Sequence, residues 1–189
     1  MSRLIVSEFV SLNGVMEAPG GEPTHPHTGW TFESNYGDDH YAYKQEEIDE
    51  AEILLLGRKT YEGFSSAWPE RKGPFADKIN SMPKYVVSST LTDPEWENTT
   101  VLSGDPVEEV RKLKDANDGP ILVNGSAQLV HTLAENDLVD EYRAMVHPVL
   151  VADGLRMFPD PDDMKLLKLA DAITYDSGVA VLVYRPAGS

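Results

Sequence analysis

The sequence predicts an α/β domain: a mostly parallel mixed sheet with helices on both faces and a C-terminal antiparallel hairpin. Three observations carry this. Short apolar, β-branched runs alternate with amphipathic segments along the chain, the pattern of parallel strands joined by helical crossovers. Two of the runs stop at a glycine that opens the next helix, Leu56-Gly57-Arg58 and Val123-Asn124-Gly125-Ser126. The last two runs are joined by Tyr175-Asp176-Ser177-Gly178, which is hairpin turn chemistry.

Taken in order, Leu4 to Leu12 is a first strand, interrupted by Ser7, Glu8 and Ser11. Residues 13–37 are rich in glycine and proline and read as a loop. Its length fits either a lid over a substrate or a mobile surface insertion. Asp38 to Ala51 reads as a helix with an acidic, exposed face. Glu52 to Leu56 is a buried strand, Arg58 to Ser66 a short helix, and Pro74 to Asn80 another. Lys84 to Ser88 and Thr99 to Leu102 are strands. Asp105-Pro106-Val107-Glu108 starts a helix, with a capping aspartate, a proline at the first helical position and a glutamate three residues after the cap. That helix stops at Asp118-Gly119-Pro120. Ile121 to Val123 is a buried strand, followed by a helix to Glu135. Leu138 to Val146 is a longer strand, and Lys165 to Tyr184 holds the hairpin. No repeat or linker divides the chain, so residues 1–189 are expected to form one domain.

The chain has 189 residues, 41% of them apolar, and no cysteine. A chain this long buries enough surface to need no disulfide or structural metal, and thiol chemistry is excluded. The net charge of -16 is the wrong sign for nucleic-acid backbones or anionic membranes. No apolar run reaches the roughly 20 residues of a membrane span, and the N-terminal stretch is not a secretory signal. A cytoplasmic protein with no nucleic-acid or membrane partner is therefore expected.

Three strand ends carry groups suited to an anion, where ligands of open α/β sheets bind. The first is Gly57-Arg58-Lys59-Thr60: free backbone N–H groups at a helix start, two cations and a hydroxyl. The second is Ser88-Ser89-Thr90, three hydroxyls that either donate to phosphate or cap the chain. The third is Asn124-Gly125-Ser126-Ala127-Gln128, small residues that let a ligand approach the backbone. It has neither the three glycines of a Rossmann fingerprint nor the lysine of a P-loop. Each is also compatible with an ordinary turn.

Together with Ser7 to Val15, Leu56 to Tyr61, Val123 to Val130, Leu138 to Tyr142, His147-Pro148-Val149 and Gly154 to Phe158, these pieces resemble the dihydrofolate reductase superfamily. The likeness is to the C-terminal reductase domain of the riboflavin-biosynthesis protein RibD and its stand-alone relatives, and it covers nearly the whole chain. The resemblance implies a dihydrofolate reductase-like fold and the cofactor NADPH. It implies that Gly57, Arg58 and Thr60 hold cofactor phosphates, with Ser88 and Ser89 near the adenosine 2′-phosphate. Gly125, Ser126, Ala127 and Gln128 would lie along the pyrophosphate, and Leu12, Asn13, Gly14 and Val15 would border the nicotinamide. An arginine fork suits a doubly charged phosphate, which favours NADP over NAD. The family also implies a homodimer, with 138–150 as the contact, and a place in riboflavin-type chemistry. Two departures stand out. Gly125-Ser126 replaces the Gly-Gly pair of dihydrofolate reductases, and no single acid in the first helix matches their pterin-binding residue.

For proton transfer the candidates are Asp38, Asp39 and His40, which equally suit a helix start as a dipole-complementing group. Glu8 and Glu17 flank the expected pocket. Trp30 and Phe32 either stack on a flat heterocycle or anchor the loop. His25-Pro26-His27 has metal-like spacing but no evident third ligand, so no metal is expected. The function expected is NADPH-dependent reduction of a small, flat pterin- or pyrimidine-like heterocycle or a carbonyl compound. The alternative is a nucleotide-binding protein of the same fold without turnover.

Overall fold

The computed structural model describes residues 1–32, 39–158 and 164–188. Its strands are β1 (Leu4–Ser11), β2 (Ile53–Gly57), β3 (Lys84–Val87), β4 (Thr99–Leu102), β5 (Ile121–Val123), β6 (Glu141–His147), β7 (Leu167–Thr174) and β8 (Ala180–Pro186). Its helices are α1 (Tyr41–Glu50), α2 (Arg58–Ala67), α3 (Pro74–Ser81), α4 (Pro106–Ala116) and α5 (Ala127–Glu135). The strands form one eight-stranded sheet in the order β4-β3-β2-β5-β1-β6-β8-β7. β1 to β6 run parallel, and β8 reverses direction between β6 and β7.

Strand alternation sorts the apolar residues onto two faces. Leu4, Val6, Ile53, Leu55, Ile121 and Val123 pack with the apolar sides of α4 and α5. Ile5, Leu54, Leu56 and Leu122 turn to the other face and pack with Ile48, Tyr61 and Ile79 of α1, α2 and α3. Both faces of the central strands are thereby covered, which is why their sequences are continuous apolar runs rather than alternating ones. Among the described residues no helix is long and apolar enough to cross a membrane.

Local chemistry explains the boundaries. Asp105 caps α4 by accepting from the N–H groups of Val107 and Glu108 at 3.0 Å, as its sequence requires. β6 begins at Glu141 rather than Leu138. The intervening residues are irregular, and Asp140 among them accepts from Leu4 N–H at 2.7 Å and from Lys114 Nζ at 2.6 Å. α1 begins at Tyr41, preceded by His40, which makes no side-chain capping bond. Asp38, expected to start this helix, lies outside the described residues.

The acidic, exposed face expected of α1 is corrected in part. Lys44 and Glu47 are buried, 7% and 3% exposed. They form a polar knot with β1: Lys44 Nζ donates to Ser7 Oγ at 2.6 Å and to Glu47 Oε2 at 2.8 Å, and Ser7 Oγ donates to Glu47 Oε1 at 2.7 Å. Arg143 on β6 extends the knot, bonding Glu141 at 2.7 Å, Glu50 at 3.1 Å and Glu47 at 3.4 Å. Burial raises a carboxylic acid's pKa, but the bonds from Arg143 and Arg185 outweigh it and hold Glu141 below the usual carboxylate range.

The loop after β1 is fastened rather than free. Leu12 N–H donates to Val149 O, Met16 N–H to Leu155 O, and Met157 N–H to Gly14 O. Asn13 clamps Val151 from both sides, Nδ2 donating to its carbonyl at 2.8 Å and Oδ1 accepting from its N–H at 3.0 Å. These bonds tie residues 12–16 to the 149–157 segment.

Candidate functional site

The β2–α2 and β5–α5 turns interlock at the carboxyl edge of the sheet. Gly57 N–H donates to Ser126 Oγ at 2.7 Å. A Cβ on Gly57 would stand 3.1 Å from Ser126 Cβ, and a Cβ on Gly125 would stand 2.8 Å from Thr60 Cγ2. Both glycines are thus fixed by close approach. Gly125 and Ser126 each have φ of +69°, so the left-handed geometry that a Gly-Gly pair adopts easily is imposed here on a serine. The compensation is visible: the serine hydroxyl receives the Gly57 N–H and ties the two turns together. The third turn lies on the next strand, since Gly57 is in register with Val87, just before Ser88. The three strand ends therefore share one edge.

Above that edge α5 presents its first N–H groups, those of Ala127, Gln128 and Leu129, which precede the first intrahelical bond from Val130 N–H to Ser126 O. Arg58 and Lys59 are exposed at the start of α2. Arg58 reaches back to Glu62 at 2.7 Å in an exposed pair, which is weak enough to exchange for another anion. Ser88 is buried, and its Oγ accepts from Thr90 and Leu91 N–H at 3.2 and 3.0 Å. It shapes its own turn, while Ser89 is exposed beside it.

Next to this cradle β1 has an open edge. β5 ends at Val123, in register with Val6, whereas β1 continues to Ser11 paired with β6 alone. Asn124 Nδ2 covers the first step, donating to Ser7 O at 2.7 Å. At the far end Ser11 N–H donates to Val15 O, and its carbonyl accepts from Gly14 N–H. Phe9 stands between them in the alternation, so its N–H and C=O face the same opening. Leu12 is 66% exposed at its rim. Gly14, with φ of +90°, has open space where a Cβ would be.

A family model for the RibD C-terminal domain matches residues 2–181. The chain belongs to the RibD C-terminal domain family. An uncharacterized Bacillus subtilis protein, YyaP, is 30% identical over 192 residues, covering 96% of this chain and 94% of its own. In fold the chain is similar to a crystal structure of a putative riboflavin biosynthesis protein from Shewanella sp. PV-4, with TM-score 0.73, 19% identity and coverage of 97% and 98% of the two chains. It is also similar to dihydrofolate reductase from Enterococcus faecalis complexed with NADP(H), with TM-score 0.61, 17% identity and coverage of 98% and 96%. The expected dihydrofolate reductase-like fold is the observed one.

Within this RibD C-terminal domain the remaining candidates divide. Trp30 is corrected from a stacking residue to a loop anchor. It is 2% exposed and packs with Val15 and Val151, and its Nε1–H donates to Glu17 O at 2.8 Å, so neither ring face is open. Phe32 is 65% exposed and free to meet a ligand. His40 is fully buried, its ring 4.2 Å from Tyr41 and 5.4 Å from His147. Burial and the neighbouring His40 push His147 down to about 4, which keeps it neutral at neutral pH. Asp39 is exposed, 3.6 Å from His40 Nδ1. His25 Nδ1 accepts the backbone N–H of His27 at 3.1 Å, so the pair serves its own turn. No group of three or more metal-ligating side chains gathers among the described residues.

Glu8 is buried on the α5 side of β1, where its Oε2 accepts from Gly125 N–H at 2.8 Å. Burial pushes its carboxyl up to about 8, so it is largely protonated at neutral pH. The sequence placed it beside the expected pocket as a substrate-side candidate; its contact is with the Gly125 turn. Lys44, Glu47 and Arg143 escaped notice because charges on a helix or strand ordinarily face water.

Proposed function

We propose that this protein is an NADPH-dependent reductase acting on a small, flat pterin- or pyrimidine-like heterocycle or a carbonyl compound. The observation that carries the reading is the interlock of Gly57, Thr60, Gly125 and Ser126 beside the open edge of β1. It forms a narrow backbone cradle that side chains would fill, next to a strand with one edge open beyond Val6. NADPH fits this cradle, and when bound it supplies a hydride. The α5 N–H groups receive its pyrophosphate, and Arg58 and Thr60 with Ser89 receive its remaining phosphate. The donor and acceptor of Phe9 suit the carboxamide of the nicotinamide, with Leu12 to Val15 along the ring. Substrate then lies toward Phe32 and the start of α1, where the exposed Asp39 delivers the proton taken up by the reduced bond. Orientation between two bound planar groups supplies most of the rate.

Fluorescence titration with NADPH and NADH tests this. Saturable NADPH binding, tighter than NADH, is expected. Arg58→Ala should weaken NADPH about tenfold or more, as loss of one charge-assisted phosphate contact, and leave NADH nearly unaffected. No NADPH binding at millimolar concentration would remove the reading.

The non-catalytic alternative is favoured by one observation: His40 is buried among rings rather than open to a substrate. Tight NADPH binding without oxidation across pterins, pyrimidine-type riboflavin precursors and quinones would select it.

A homodimer belongs to the proposal, but its contact moves. β6 lies inside the sheet between β1 and β8 and is mostly buried, which favours a contact outside 138–150. β7 is the sheet edge, and Leu167 and Leu169 on it are 38% and 49% exposed. An apolar edge strand of this kind is a pairing surface. Light scattering should give twice the chain mass, and Leu169→Lys should halve it. The composition supports a cytoplasmic location.

A further inference from the structure

Among the described residues, the charged groups around the cradle are paired or exposed, with one exception. Glu8 is 5% exposed, and its Oε1 is buried with no partner among the described residues. Its other oxygen holds the N–H of Gly125, the first of the two left-handed residues that lead into α5. The carboxyl therefore sits directly behind the turn that aims the α5 N–H groups outward. The strand position requires no acid. Val6 and Val10, two residues to either side on the same face of β1, are apolar core. A buried group with half its hydrogen-bonding capacity unmet costs stability, and here that group lies against the anion-facing turn.

We propose that Glu8 is a positioning residue for the cofactor: as a neutral carboxyl it sets the Gly125-Ser126 turn for an anionic ligand, and as a carboxylate it opposes that ligand. The inference rests on the reading of the α5 start as the pyrophosphate site. In the neutral form the carboxyl oxygen accepts the Gly125 N–H and adds no charge behind the turn. In the ionised form a full negative charge stands one hydrogen bond from the residue that begins the anion cradle, in surroundings with little water to screen it. The charged groups acting on Glu8 from the opposite face are Lys44 and Glu47 of α1, which oppose each other. On its own face it meets the Gly125 turn, which Thr60 of α2 backs, and it is in register with Ala144 of β6. Among the described residues no other charge acts on Glu8, so Glu8 carries the switch.

The linkage has a definite sign. Burial places the carboxyl near 8, and a bound anion raises it further, so binding takes up a proton and weakens as pH climbs past that value. Calorimetric titration of NADPH at pH 6.5, 8 and 9.5 reads this, with the wild-type protein and Glu8→Gln side by side. Glutamine keeps an acceptor for Gly125 N–H but cannot ionise. The wild-type dissociation constant should rise roughly tenfold from pH 6.5 to 9.5 for one charge at this separation. That of Glu8→Gln should stay flat. At pH 8, titrations in buffers of different ionisation heat should show proton uptake by the wild type and none by the variant. Glu8→Met, which also removes the acceptor, should bind weakly at every pH. Parallel pH profiles for wild type and Glu8→Gln, with no difference in proton uptake, would overturn the proposal while leaving the nucleotide site standing. Absence of NADPH binding by the wild type at all three pH values would overturn the site itself and the proposal with it. The thermal stability of the ligand-free proteins provides an independent readout. Wild-type stability linked to Glu8 is fully present below pH 4.5, declines as pH rises and is lost past about 8, and Glu8→Gln should lack that decline.

Discussion

Gly125→Ala should lower NADPH affinity about a hundredfold and destabilise the protein by about 2 kcal/mol. Two effects combine. The residue has φ of +69°, where a side chain costs roughly 1–2 kcal/mol. The new Cβ would also stand 2.8 Å from Thr60 Cγ2 and 3.0 Å from its Oγ1, closer than packed atoms tolerate. The turn must shift, and with it the α5 N–H groups. Loss of one charge-assisted hydrogen bond at roughly 1.5–3 kcal/mol accounts for the drop in affinity. Thr60→Ser removes Cγ2 alone. In the double variant Gly125→Ala/Thr60→Ser, part of the lost melting temperature and part of the affinity should return, because the overlap is relieved and the backbone cost remains. Denaturant midpoints and titrations of the four proteins separate the two contributions. No recovery in the double variant would mean that the contact between the turns is not what fixes the cradle.

Arg143→Met should destabilise the fold by about 3–5 kcal/mol, the usual consequence of removing one partner from a buried ionic network. For a chain of this size that is a fall in melting temperature on the order of 10 °C. Arg143 holds Glu141 and Glu47, which are 1% and 3% exposed, so its loss strands carboxylates rather than exposing a surface. Glu141 keeps Arg185 at 2.8 Å and Glu47 keeps Lys44 at 2.8 Å, which keeps the effect at the lower end of that range. The pH dependence follows from the direction of Glu141. Its pKa is depressed in the folded state, so its stabilising contribution is present above the ordinary carboxylate range and is lost as pH falls through the folded value. In Arg143→Met that depression weakens, and the stability gap to wild type should narrow as the pH is lowered through the carboxylate range. A gap that widens on acidification would contradict the network as described.

How much of this was legible in the sequence depends on the kind of residue. Strands such as Leu54-Leu55-Leu56 and Ile121-Leu122-Val123 are buried on both faces, so their apolar runs bounded by glycine or proline reveal them directly. α4 is legible at its start because Asp105, Pro106 and Glu108 each have one physical role there. The order of strands is not local information. That β5 lies between β2 and β1, and so stops where β1 continues, decides where the opening is, and nothing in those residues encodes it singly. The cradle glycines were legible because tight approach leaves few alternatives to glycine. Ser126 was harder: a serine in left-handed geometry is uncommon, and only the bond from Gly57 explains it. The buried charges were the least legible. Lys44, Glu47 and Arg143 have the spacing of surface residues, and their burial depends on partners distant in sequence. Trp30 was ambiguous for the opposite reason, since an aromatic in a loop serves packing and recognition equally well, and its bond to Glu17 O decides for packing.

The central claim is that three strand ends and the free edge of β1 form one binding site for a phosphorylated dinucleotide. A crystal structure of the protein grown with NADPH tests it most directly. The expected result places the pyrophosphate on the N–H groups of residues 127–129, a phosphate beside Arg58, and the carboxamide on the backbone of Phe9. Density for the cofactor elsewhere on the molecule, or a pyrophosphate that leaves the Gly125 turn untouched, would contradict it.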